Sequence, residues 1–233
     1  MEQMIWRLRI FGDSIMRGIL YDDSEGNYVH MPNGAISFQS TSPNICIRNN
    51  SYFGYTSTKG LQLLQRAIIR GLVSDFVLLE YGGNDCDYRW KEIVANPEKR
   101  HEPRTPLAQF DDTIRSMISL LKTEKVTPIL MTLPPINANL YIQHLGRSGL
   151  DTSTILQWLG HSDCMYRGQE EYSVRIREIA TETDTRIMDI RSRFLGVGDF
   201  NTLLCKDGIH PNVDGHKLIW NALGDFLLEM KTA

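Results

Sequence analysis

Ser14, Asp207 and His210 are side chains whose types and spacing suit nucleophilic catalysis. A serine hydroxyl is a weak nucleophile until a base within hydrogen-bond reach takes its proton, and that base needs a third group to fix its tautomer. Asp207-Gly208-Ile209-His210 sets a carboxylate three residues before an imidazole, so the two can act as one unit. Gly12-Asp13-Ser14 follows an apolar run, and Gly12 is expected to turn the chain sharply and raise the hydroxyl above it. Acyl transfer also generates an oxyanion, which needs preorganised donors. Gly54 offers a backbone N–H with room for close approach, and Asn84, within Gly82-Gly83-Asn84-Asp85, offers an uncharged side-chain amide. Each piece has an ordinary alternative. Gly-Asp-Ser caps helices, Gly82 to Asp85 reads as a tight turn, and the segment around Asp207 reads as a capping loop before a helix. His216 is a rival base with a structural reading, and His30, His101, His144 and His161 have no carboxylate at comparable spacing.

These groups need a scaffold. Apolar runs with strand character occupy 5–11, 45–47, 76–81, 127–133 and 186–190. Helical stripes lie between them: Leu61, Leu64, Ile68 and Leu72; then Leu107, Phe110, Ile114, Met117, Ile118 and Leu121. Further helices are expected over 168–183 and 214–230, the latter held from an earlier start by Pro211. Strands alternating with helices predict an α/β fold, a three-layer α/β/α sandwich around a mostly parallel five-stranded sheet, as one domain over 1–233. Ligands bind at the carboxyl ends of such strands, so Ser14, the loop 49–56, Gly82 to Asp85 and 132–135 are expected on one rim. The long connections 85–106 and 136–167 leave from that rim. The second carries Tyr141, Leu145, Leu150, Ile155, Trp158 and Leu159, and reads as one or two short helices forming a cap, a pocket wall or an oligomer contact.

A net charge of −3 with mixed signs gives no footprint for nucleic acid, and no segment reads as a membrane span. Residues 1–11 lack the apolar core of a signal peptide, so a cytoplasmic location is expected. Cys46, Cys86, Cys164 and Cys205 form no Cys-x-x-Cys pair, so reduced thiols and no metal are expected; Cys86 stands out only for following Asn84-Asp85. Two other classes lack their signatures. A phosphoacceptor module needs a lysine where Met188-Asp189-Ile190-Arg191 stands, and the stretch from Gly54 to Gly60 misses the phosphate-binding order.

Taken in order, Gly12-Asp13-Ser14-Ile15, Asn49-Asn50-Ser51-Tyr52-Phe53-Gly54-Tyr55-Thr56, Gly82-Gly83-Asn84-Asp85 and Asp207-Gly208-Ile209-His210 resemble the four sequence blocks of the GDSL/SGNH hydrolase family. The resemblance runs from near residue 5 to near residue 227; Ile15 stands where Leu is commoner and Ser51 where Gly is frequent. It implies a flavodoxin-like sheet, no metal or other cofactor, Ser14 as nucleophile with Asp207 and His210 completing the triad, and an oxyanion hole of Ser14 N–H, Gly54 N–H and the Asn84 side chain. The implied reaction is ping-pong hydrolysis of a small-molecule acyl ester through an acyl-serine.

The family covers lipases, lysophospholipases, thioesterases and carbohydrate deacetylases, so the loops must choose the substrate. A small-acyl esterase or carbohydrate O-deacetylase is expected, because no membrane-targeting segment is evident. The alternatives are a lysophospholipase or thioesterase taking longer chains, and a non-catalytic ligand-binding relative. Asp13, Asp85, Tyr88, Trp90 and Trp158 are the candidate substrate contacts, since aromatic faces with polar neighbours suit a sugar ring; their plain alternative is loop packing.

Overall fold

The computed structural model describes residues 5–32 and 45–232; residues 1–4, 33–44 and 233, included in the domain reading, and 1–4 in the amino-terminal one, lie outside them. The chain forms β1 (Trp6–Gly12), the hairpin β2 (Ile19–Asp22) and β3 (Asn27–His30), then β4 (Ile45–Asn49), β5 (Phe76–Glu80), β6 (Thr127–Met131) and β7 (Arg186–Met188). Five of these make one wholly parallel sheet in the order β4-β1-β5-β6-β7. Counted within that sheet the order is 2-1-3-4-5, so successive connections leave β1 and β5 in opposite directions and open a crevice at their carboxyl ends.

Because strand side chains alternate between faces, the buried strands feed two cores. Leu8, Ile10, Leu78 and Ile129 pack with α8 (Ile190–Leu195) and α9 (Val213–Thr232) through Phe194, Ile219 and Leu223. Phe11, Val77, Leu79 and Leu130 pack on the other face with α2 (Ser57–Ile69), α4 (Leu107–Thr123) and α7 (Asp163–Glu182) through Leu64, Phe110 and Ile176. The three expected layers are therefore present.

Several elements depart from the periodicity reading. α7 starts at Asp163, five residues before the expected 168, because its first turn packs Met165 into the rim's wall. The connection 85–106 contains α3 (Trp90–Ala95), and 136–167 contains α5 (Ala138–Arg147) and α6 (Thr152–Leu159). These build a third apolar cluster, in which Trp90, Tyr141, Leu145, Ile155 and Met165 meet above the sheet. Local caps set its helices: the Asn137 side chain accepts Leu140 N–H at 2.9 Å, and Asp151 accepts Ser153 N–H at 2.9 Å.

Candidate active site

Ser14 opens α1 (Ser14–Arg17) directly after β1. Gly12 is not in the left-handed region that a sharp glycine turn would use. It supplies room instead: a Cβ there would stand 2.8 Å from Glu80 Oε2 and 3.1 Å from Glu80 O. Asp13 caps the helix, its Oδ1 accepting Ile15 N–H at 2.9 Å.

The loop before α9 carries the other two groups. Asp207 is fully buried; Oδ1 accepts the amides of Ile209 at 3.2 Å and His210 at 3.1 Å, and Oδ2 lies 2.6 Å from His210 Nδ1. A carboxylate facing Nδ1 puts the imidazole proton there, which leaves Nε2 to accept from Ser14 O–H, 2.8 Å away. Burial works against the Asp207 charge, yet the His210 ring and the two amides outweigh it and hold the carboxyl below its usual range. Gly208 locks this loop in place. Its φ is +78°, a Cβ would lie 2.5 Å from Asn137 O, and its own carbonyl accepts Asn137 N–H at 2.8 Å at the start of α5.

Asn84 shares one cavity with Ser14 and His210. Its Nδ2 donates to Asp13 Oδ2 at 2.9 Å, which fixes the amide and leaves a second N–H free to serve a ligand. The loop bearing Gly54 is tied beside the nucleophile turn, since Tyr52 N–H donates to Gly12 O at 3.1 Å. Gly54 itself has φ +70° and is half-buried, but it does not line the cavity.

The cavity measures about 100 Å³. Leu133, Ile136, Trp90, Tyr141 and Met165 supply its apolar wall, and Asp13 and Tyr88 also face it. Two of the expected substrate contacts are corrected. Asp85 is fully buried and turned toward α2, where both its oxygens lie 3.0 Å from Ser57 N and Oδ1 accepts Ser57 Oγ–H at 2.6 Å. It caps a helix whose own N-cap residue, Thr56, makes no side-chain cap bond. Trp158 does not line the cavity; its ring stands edge-on behind Tyr88 at 5.1 Å and Trp90 at 6.4 Å, so it supports the wall from outside. Asp13 does line the cavity, with both oxygens engaged, by Ile15 N–H and Asn84, so it braces the amide. Burial pushes its carboxyl up to about 6 against those hydrogen bonds.

Glu80 and Asp87 also line the cavity, and sequence reasoning missed both. Glu80 closes β5 as the one charged residue of an apolar run. Its Oε2 accepts Asp13 N–H at 3.1 Å, and among the described residues Oε1 has no partner. Burial, then the neighbouring Asp13 charge, raises it well above the ordinary carboxyl range beneath the nucleophile turn. Asp87 Oδ1 accepts Trp90 Nε1–H at 2.8 Å and Tyr141 O–H at 3.0 Å, joining α3 and α5 to the rim. Its only signal was a second acid two places beyond Asp85. His216 has the structural role expected of it: it is fully buried, with Nε2 3.1 Å from Ile19 O, and burial lowers it to about 4. Among the described residues no cluster of three His, Cys, Asp or Glu can hold a metal, and no helix is long and apolar enough to cross a membrane.

The profile of the GDSL-like lipase/acylhydrolase family matches residues 10–218. The GDSL esterase/lipase WDL1 of Oryza sativa subsp. japonica is 26% identical over 72% of this chain, which spans 60% of that protein's length. The GDSL esterase/lipase CPRD49 of Arabidopsis thaliana is 21% identical over 96% of this chain and 78% of its own. Among solved structures, the lipase/acylhydrolase from Enterococcus faecalis superposes with a TM-score of 0.66 at 16% identity, covering 96% of this chain and 95% of that one. An acetylxylan esterase from Geobacillus stearothermophilus gives 0.64 at 23% identity, covering 95% and 94%. These likenesses establish the fold.

Proposed function

The chain belongs to the GDSL-like lipase/acylhydrolase family, and from that premise we propose that it hydrolyses small acyl esters, with Ser14 as nucleophile. The observation that carries this reading is the continuous hydrogen-bonded line from Ser14 Oγ to His210 Nε2 at 2.8 Å and from His210 Nδ1 to Asp207 Oδ2 at 2.6 Å.

Ser14 Oγ attacks the ester carbonyl while His210 Nε2 takes its proton, and Asp207 stabilises the imidazolium that forms. The carbonyl oxygen becomes an oxyanion that draws on Ser14 N–H and the second Asn84 N–H, both at the cavity, and on Gly54 N–H only if the bound ester extends beyond the cavity to the loop beside the nucleophile turn. Collapse breaks the bond to the alcohol oxygen, which leaves with the proton from His210. Water then attacks the acyl-serine, giving its proton to His210, and the second collapse returns that proton to Ser14 and releases the acid.

The cavity size supports a small acyl group. A cavity of roughly 150 Å³ holds one benzene ring, and the cavity here is about 100 Å³. We assign residues 136–167 as a wall of this acyl pocket within a single hydrolase domain. Carbohydrate O-deacetylation is compatible with the acetylxylan esterase among the fold neighbours. A series of p-nitrophenyl esters tests the reading: kcat/KM is expected to peak at acetyl or propionyl and to fall by octanoyl. Rates climbing steadily with chain length would favour a lysophospholipase or thioesterase instead, and no turnover with any ester would favour a ligand-binding relative.

A further inference from the structure

We propose that Tyr28 and Phe53 form a subsite for a sugar ring on the alcohol side of the ester, an inference that rests on the esterase reading above. His210 lines the cavity, and neither Tyr28 nor Phe53 does. Both rings nonetheless pack on the imidazole: Phe53 lies nearly parallel to it, 8° between planes with centroids 6.1 Å apart, and Tyr28 is tilted against it at 5.1 Å. The two rings are 5.1 Å from each other and come from separate elements, β3 and the connection from β4 to α2.

Phe53 is 50% exposed and Tyr28 38%. Exposed aromatic surface gathered at one point marks a contact site more often than a fold requirement. Its position identifies the occupant. The departing alkoxide takes its proton from His210 Nε2, so the alcohol half of the substrate passes within reach of the imidazole on which these rings pack.

The chemistry of the patch favours a sugar over an alkyl chain. The Tyr28 hydroxyl lies 3.2 Å from His144 Nε2, and Tyr21 meets both rings edge-on, at 5.4 and 4.9 Å. The hairpin positions around them, Asp23, Ser24, Glu25 and Asn27, are exposed and polar. A pyranose offers an apolar C–H face to an aromatic plate and hydroxyls to a polar surround, whereas a long alkyl alcohol needs a continuous apolar groove. Tyr88, Trp90 and Trp158, expected from the sequence to meet a sugar, pack in or behind the acyl wall, which leaves that role to this second aromatic group.

The test compares an acetylated xylo-oligosaccharide with ethyl acetate, which carries the same acyl group on an alcohol too small to span the rings. Phe53→Ala and Tyr28→Ala are each expected to lower the sugar-to-ethyl ratio of kcat/KM about 10-fold, and Phe53→Trp to preserve it. An unchanged ratio, with both substrates losing rate together, would mean that the rings only hold His210 and would overturn the subsite. Binding of the same oligosaccharide to Ser14→Ala protein by calorimetry gives a readout without turnover. Added Phe53→Ala should weaken it about 10-fold, and equal binding with and without Phe53 would overturn the proposal. Failure of the wild-type protein to hydrolyse ethyl acetate would strike the esterase reading instead.

Discussion

At the strand ends, Ser14 is bonded to His210, and His210 and Asn84 are held by the buried carboxyls of Asp207 and Asp13, with the buried carboxyl of Glu80 accepting Asp13 N–H beneath them. Across the cavity, Trp90, Tyr141, Ile155 and Met165 are held mainly by apolar packing, with Asp87 as the polar tie. The contrast separates two requirements. Bond making needs fixed atoms, because an ångström of misplacement costs orders of magnitude. Acyl selection needs only a fixed volume, and apolar packing tolerates exchange when volume is kept.

The largest expected effect is on the rim. Asp207→Asn should leave the fold intact but lower kcat on p-nitrophenyl acetate by about 10⁴, because the amide favours the wrong imidazole tautomer; retention of a tenth of the activity would break the claim that the rim depends on this bond. Asn84→Ala should cost about 10² to 10³ in kcat with little change in KM. A large rise in KM at constant kcat would make Asn84 a binding group instead.

The third prediction concerns the footing of the rim. Below about pH 6.5 the unfolded chain binds a proton at its histidine, but folded His216 resists one until about pH 4. Acid therefore favours the unfolded state across that window, by on the order of 3 kcal/mol in full. Urea unfolding at several pH values should show this loss in the wild type and a shallower slope in His216→Gln; identical slopes would remove His216 from the account. The smallest effect is on the wall. Met165→Ala should raise the hexanoyl-to-acetyl ratio of kcat/KM several-fold, on the order of the 1 to 3 kcal/mol that a hydrophobic pocket commands per methylene. An unchanged ratio would mean that Met165 does not set the pocket's depth.

The sequence made the sheet legible because its three central strands, β1, β5 and β6, are short apolar runs with consecutive buried residues, and four of the site residues follow such runs or precede the last helix. The hairpin β2–β3 was not legible: its strands are four residues each and its outer positions are polar, so no apolar period marks it. Glu80 was hidden for the opposite reason, a single acid inside Phe76–Glu80 that reads as strand. Asp85 adjoins Asn84 in sequence, yet the turn sends its carboxylate to Ser57 and away from the cavity. Which aromatic residues face the acyl group and which face the alcohol depends on contacts between distant elements, such as Phe53 against His210, that no local spacing encodes.

The central claim is that Ser14 is a nucleophile activated by His210, and covalent trapping tests it most directly. A fluorophosphonate probe followed by peptide mass analysis should place a single adduct on Ser14, absent in Ser14→Ala and formed far more slowly in His210→Ala. An adduct at another residue, or a Ser14→Ala protein that keeps full esterase activity, would contradict the account.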